Sequence, residues 1–211
     1  FRPAVNGYEL AGIENGKSSN IDGIPFKSIK EDVLKNFRKG GLLIMNWTAP
    51  NYNGNEDILE EYAKKVANFL GSLQDDYGIK APIVLNLFPI DGKSWYCQLS
   101  KDDYIDLYKK MQDLLDDEDV SNVIYGYSEA YQPGKNLMDR YPDHNIDVIN
   151  VTYLQSRTSI NLPLYDKSIK DIINQALPFA QEHNTAFGLT TGVESIGDSS
   201  VFASTLLPEL K

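Results

Sequence analysis

Three carboxylates stand directly after apolar runs that are predicted to be β-strands, namely Asp91, Glu129 and Glu194. In an α/β barrel the carboxyl ends of the strands carry the active site. Two carboxyl groups about 5–5.5 Å apart, or somewhat wider, form the arrangement that cleaves glycosidic bonds. Because strand side chains alternate between faces, a shift of one residue decides whether such a group points into a site. Most Asp and Glu residues are exposed, and we therefore expect these three to be loop acids or helix caps.

Aromatic residues cluster at the same predicted strand ends. Such rings cover the C–H faces of sugars, while neighbouring polar side chains bind the hydroxyl groups. The alternative is that they pack in the core or at its rim, since aromatic side chains dominate buried area. The candidates for carbohydrate binding are Trp47, Trp95, Tyr96, Tyr127, Tyr153 and Tyr8.

Composition excludes several other classes of site. The net charge of −10 argues against a nucleic-acid partner, and no apolar run is long enough to predict a transmembrane segment. Cys97 is the only cysteine, while His144 and His183 are far apart in sequence, so we expect no metal site. The run 12–18 ends like a phosphate-binding loop, but its glycines are spaced too closely for that motif, and we expect no cofactor.

Six strand-like runs alternate with helical patterns, most of them repeating at just under forty residues. This alternation predicts an α/β fold, either a (β/α)8 TIM-like barrel or a doubly wound sheet, in a single domain over 1–211. Pro178 is expected to kink or restart the last helix, and Ser100 to cap the helix that follows it. The predicted strands are Pro3–Leu10, Gly41–Trp47, Pro82–Phe88, Asn122–Tyr127, Ile146–Leu154 and Thr185–Thr191.

Two segments near the start, PAVNGYELAGIE at 3–14 and NIDGIPF at 20–26, resemble the second barrel strand and following loop of glycoside hydrolase family 26. That family contains the β-mannanases and related endo-glycanases. The resemblance implies a (β/α)8 barrel and a polysaccharide or oligosaccharide ligand. It also implies a secreted, periplasmic or cell-surface protein. Similar segments follow in the family's order at 40–47, 86–95, 122–128, 140–149 and 206–210.

The same alignment places neutral residues where the family has its catalytic glutamates. Ile90 stands at the acid/base position, which closes the family's FRPWHE motif, and Thr190 stands at the nucleophile position. Neighbouring cleft positions that are charged or titratable in the family are also neutral here, at Asn86, Pro89, Thr48 and Thr152. The resemblance also starts at the second strand and stops before the eighth, so we expect a fragment or an unusual closure.

Three hypotheses follow. The first is a carbohydrate-binding or pseudo-hydrolase protein related to β-mannan-degrading enzymes, in which Trp47 and Trp95 line the cleft. The second is an active, retaining-type endo-glycanase that uses relocated carboxylates, or a family enzyme whose catalytic residues the alignment misplaces. The third is a structural remnant without a ligand. Under the first hypothesis, Ile90 and Thr190 should face each other across one cleft.

Overall fold

A computed structural model describes residues 4–155 and 161–193 of the chain. Six parallel strands lie side by side in sequence order and form a curled half-barrel. The prediction of about six neighbouring parallel strands is confirmed. The strands are β1 (Val5–Glu9), β2 (Leu42–Trp47), β3 (Ile83–Leu87), β4 (Val123–Ala130), β5 (Val148–Gln155) and β6 (Ala186–Val193).

Helices connect successive strands except β4 and β5, between which the structure has turns and no helix. Asn55 and Ser100 begin α2 and α3 by accepting hydrogen bonds from Asp57 N and Asp103 N, both at 3.1 Å, which confirms the cap predicted at Ser100. One helix continues through Pro178, so the last helix does not restart there, and the kink at this residue stays a prediction. The helices are α1 (Phe26–Phe37), α2 (Glu56–Gly71), α3 (Lys101–Asp117) and α4 (Leu162–Glu182), with a short 3-10 helix at Trp95–Gln98.

The main core lies between the strands and the helices. Side chains on the outer face of the sheet, such as Met45 and Leu85, are fully buried together with the α2 and α3 residues Leu70 and Tyr108. The inner face carries different residues, because side chains alternate along each strand. No helix among the described residues is both long and apolar enough to cross a membrane.

Candidate functional site

The inner face of the sheet encloses a cavity of about 870 Å³, which we call the barrel interior. Its polar lining consists of amides and hydroxyl groups, and no ionisable side chain lines it among the described residues. Apolar residues such as Ile44, Val84 and Val148 complete the wall. The polar residues are Asn46, Asn86, Ser128, Asn150, Thr152, Thr190 and Thr191.

Three asparagines form a chain of side-chain amides across this interior. Asn86 Nδ2 donates to Asn46 Oδ1 at 2.7 Å, and Asn150 Nδ2 donates to Asn86 Oδ1 at 3.0 Å. Asn86 and Asn150 lie on β3 and β5, so the second bond passes over β4 at Gly126. A Cβ at Gly126 would stand only 2.1 Å from Asn86 Oδ1. Glycine is therefore required there for the amides to meet.

This amide chain is not among the sites predicted from the sequence. Asn86 had been noted only for the charge missing at its position, and Asn46 and Asn150 had not been candidates. A signal was available, because each is a polar residue inside an otherwise apolar strand. Buried amides in such positions need partners, and inward-facing neighbours on adjacent strands supply them.

The two positions aligned with the family's catalytic glutamates do not line a common cavity. Thr190 on β6 pairs with Thr152 on β5, and both line the barrel interior. Ile90 instead joins the end of β4, where its N–H donates to Ser128 O at 2.8 Å and its carbonyl accepts from Ala130 N at 2.7 Å. The side chain of Ile90 lines a smaller cavity beside the barrel. That Ile90 and Thr190 face each other across one cleft therefore stays a prediction.

The smaller cavity, which we call the Glu129 pocket, has a volume of about 370 Å³. It lies between the segment after β3, represented by Ile90 and Gly92, and the segment from Glu129 to Arg140. Glu129 Oε2 accepts hydrogen bonds from Tyr127 OH at 2.8 Å and from Met138 N at 3.1 Å. Burial raises the pKa of the Glu129 carboxyl above its ordinary value, although these two hydrogen bonds act in the opposite direction.

The other carboxylates play different parts. Asp91 accepts from Lys93 N at 2.7 Å and Ser94 N at 2.8 Å, as expected of a loop acid. Burial opposes ionisation of Asp91, but the hydrogen bonds from Ser94 and Lys93 outweigh it and lower the pKa of this carboxyl. Glu194 lies outside the described residues. Glu9, which is not among the predicted site residues, accepts from Ala11 N and from both the N–H and the hydroxyl of Thr48. Burial raises its pKa despite those bonds.

The structure revises the predicted sugar contacts for three of the aromatic residues. Trp47, Tyr96 and Tyr127 are each 0 % exposed, so no ring face is free to cover a sugar. Trp47 follows the inward-facing Asn46 and therefore points towards the helices, where its Nε1 donates to Glu14 Oε2 at 3.1 Å. Glu14 also accepts twice from Gly12 N.

The other three aromatic candidates remain partly exposed but do not form one platform. Trp95 Nε1 donates to Ala49 O at 2.9 Å, and its ring packs edge-on against Tyr52 at 5.8 Å. Tyr153 stacks on Tyr165 with 5.8 Å between ring centroids. Tyr8 donates to Asp32 Oδ2 at 3.0 Å at the opposite edge of the sheet, on β1.

No cluster of three or more metal-ligating side chains occurs within residues 4–155 and 161–193. His183 Nδ1 lies 2.9 Å from Phe179 O, and the His183 ring stacks on the Phe179 ring. Both contacts of this histidine are therefore with the preceding turn of α4. The side chain of Cys97 lies 3.4 Å from Asp91 Oδ1, and burial raises the pKa of its thiol.

Six parallel strands with external helices, and with polar groups collected on the inner face and at the strand ends, define the α/β-barrel class in partial form. Within that class, the fold is that of glycoside hydrolase family 26, as three solved structures show. No protein-family model and no curated protein matches the chain.

The structural similarity extends over nearly the whole chain. A family 26 β-mannanase from Bacteroides ovatus superposes with a TM-score of 0.88 at 25 % identity, covering 98 % of this chain and 67 % of that one. A family 26 protein from a Muricauda species gives 0.79 at 19 %, with coverages of 99 % and 67 %. A modular endo-β-1,4-mannanase from Cellulomonas fimi gives 0.78 at 19 %, with coverages of 99 % and 55 %. The chain thus spans between about half and two thirds of these proteins.

Proposed function

We propose that this chain belongs to a glycan-binding protein with a family 26 fold that lacks the family's acid–base chemistry. The observation that supports this most is the neutral lining of the barrel interior among the described residues. Glycoside hydrolysis requires two carboxyl groups facing one bond. The inner-face hydroxyl groups of Thr152 and Thr190, in the carboxyl-terminal halves of β5 and β6, are suited instead to hydrogen-bonding a neutral polymer.

A binding site without catalytic charges can bind the undistorted glycan, since it does not have to bind a transition state more tightly. We expect oligosaccharide dissociation constants on the order of micromolar to millimolar, which corresponds to roughly 4–8 kcal/mol. A polymeric glycan is met outside the cytoplasm, so a secreted, periplasmic or cell-surface location accompanies this proposal. The single domain over 1–211 is part of the same proposal.

Trp95 gives the sharpest mutational test, because it is the tryptophan that keeps exposed surface, in the 3-10 helix after β3. Replacing Trp95→Ala should weaken oligosaccharide binding by more than about 1 kcal/mol, the usual threshold for an important contact. The matched control is Tyr77→Ala, which removes an aromatic ring that is 89 % exposed in a remote turn and should leave affinity unchanged. Calorimetric titration with mannan, glucan and xylan oligosaccharides provides the measurement. Equal oligosaccharide affinities for the two variants would show that Trp95 does not contact the glycan.

A second candidate function, hydrolysis by relocated carboxylates, is favoured by one observation. Glu129 pairs directly with Ile90, the position aligned with the family's acid/base residue. Because burial raises its pKa, Glu129 holds a proton to a higher pH than an exposed glutamate, as a general acid must. Assays for released reducing sugar separate the two candidates. Activity that disappears in Glu129→Gln or Glu194→Gln would establish the enzyme. If the protein neither hydrolyses nor binds any glycan, the hypothesis of a structural remnant without a ligand is the one that remains.

A further inference from the structure

The Glu129 pocket is separate from the barrel interior and has its own polar lining. The lining includes two carboxylates, Glu129 and Asp139, and two cations, Lys135 and Arg140. Three amides accompany them, those of Gln98, Gln132 and Asn136. None of these three amide side chains hydrogen-bonds another residue in the described ranges, so all three are available to a ligand.

The walls of the pocket are held in place by the fold. Glu129 is fixed by Tyr127 OH and Met138 N. Arg140 donates to Tyr96 O at 3.3 Å and to Leu99 O at 2.8 Å, which ties the two loops together. Groups that are positioned before a ligand arrives lose little further freedom on binding, and this favours affinity.

Close packing at Gly92 adds to this preorganisation. A Cβ at this position would lie 2.7 Å from Gln132 Nε2, so the amide of Gln132 rests against the bare backbone of Gly92. The backbone there has φ +76°, which side chains other than glycine rarely adopt. Gly92 therefore sets where Gln132 stands at the pocket wall.

The chemistry of the lining selects the ligand class. A hydroxyl group both donates and accepts hydrogen bonds, and so does an amide side chain. Charges of both signs line the pocket, and Asp139 also pairs with Lys101 at 3.7 Å, so the lining does not select an ion of one sign. A volume of about 370 Å³ lies near the lower end of the range for ligand pockets, roughly 300–1,000 Å³, which suits one ring better than a chain.

We propose that the Glu129 pocket binds a single neutral sugar ring, whose hydroxyl groups are held by the amides of Gln98, Gln132 and Asn136. This inference shares its ligand class with the proposed function, but it concerns a different cavity. It assigns to the protein a second point of contact with a glycan, beside the barrel rather than within it.

Titration of the purified protein with the methyl glycosides of mannose, glucose, galactose and xylose, followed by NMR, tests the inference. We expect at least one glycoside to bind with a millimolar dissociation constant. Gln132→Ala should weaken that binding about tenfold, the effect of losing one or two net hydrogen bonds. Gln181→Ala, which changes an exposed glutamine on α4, should stay within about twofold of the parent protein.

A second pair of variants keeps the test independent of any one side chain. Gly92→Ala displaces Gln132 and should weaken binding at least about fivefold. Gly78→Ala introduces the same backbone strain, at φ +79°, with no atom within 4 Å of the new Cβ, and should not change affinity. Failure of all four glycosides to bind, equal affinity in each pair, or preferential binding of a glucuronate would overturn the inference.

The proposed function can fail separately. Monosaccharide binding that depends on Gln132, without any oligosaccharide binding that depends on Trp95, would support the pocket alone. Oligosaccharide binding that is unaffected by Gln132→Ala, with no monosaccharide bound, would support the proposed function and overturn the inference about the Glu129 pocket.

Discussion

The barrel interior and the Glu129 pocket receive neighbouring residues of the same strand. Ser128 of β4 lines the interior, while Glu129, the next residue, lines the pocket. The interior is neutral and connected by amides, whereas the pocket carries two carboxylates and two cations. Alternation along a strand thus lets one segment supply two chemically different cavities. Variants that disturb one cavity should therefore leave the other intact.

The largest effect is expected at Gly126. In Gly126→Ala the new Cβ would stand 2.1 Å from Asn86 Oδ1 and 3.1 Å from Val84 Cγ1, so the amide chain has to break or the strands have to move. Overpacking of this kind costs about 3 kcal/mol in unfolding free energy. Gly7→Ala, also lining the interior but with no atom within 4 Å of the new Cβ, is the control. Urea denaturation measures both, and equal stability would show that the interior is more plastic than its geometry indicates.

A smaller loss is expected from Asn86→Ala. This change removes the middle amide and leaves Asn46 Oδ1 and Asn150 Nδ2 without their partners. Unsatisfied buried polar groups cost about 2 kcal/mol in such cases. Asn68→Ala, at an exposed position on α2, should be close to neutral in the same denaturation experiment. Monosaccharide binding in the Glu129 pocket should survive Asn86→Ala, and its loss would mean that the two cavities are coupled.

The smallest effect is expected in the pH dependence of the unfolding free energy, to which Glu129 contributes and the neutral barrel interior does not. The pKa of Glu129 is raised in the folded protein, so the folded state holds this proton more tightly than the unfolded state. Stability from this group is complete below the unfolded pKa and falls as pH rises through the folded pKa. Glu129→Gln should therefore gain stability over the parent protein as pH rises above the ordinary glutamate range. Glu60→Gln, exposed on α2, serves as control, and a pH-independent difference between Glu129→Gln and the parent protein would contradict the assignment.

Sequence was most informative about the sheet. Runs such as 83–87 are apolar at nearly every position because β3 is buried on both faces, and that pattern predicts a central parallel strand. The caps at Ser100 and Asn55 are local hydrogen bonds between close neighbours, and the one at Ser100 was predicted from its own segment. A restart at Pro178 was one of two predicted outcomes, and α4 instead continues through this residue between the buried Ala176 and Ala180.

The candidate site was harder to predict, because it depends on where side chains point. Trp47 and Asn46 differ by one position, yet one is buried under helices and the other lines the barrel. Phe88 adopts φ 48° just after β3, so simple alternation fails before Ile90 is reached. The amide chain joins three strands that are distant in sequence, and the sequence of each strand alone does not predict which side chains on other strands it will bind.

The amide chain also bears on the order of events in folding. The Asn86–Asn150 bond joins residues 64 positions apart and passes over β4, so it can form only after β3, β4 and β5 have all taken their register. A slip of one residue in β3 or β5 would turn the amide to the opposite face of the sheet. The bond is therefore a late and specific reporter of correct assembly. Slow hydrogen exchange at Asn150 Nδ2 during refolding would mark the moment when the sheet has closed over its own interior.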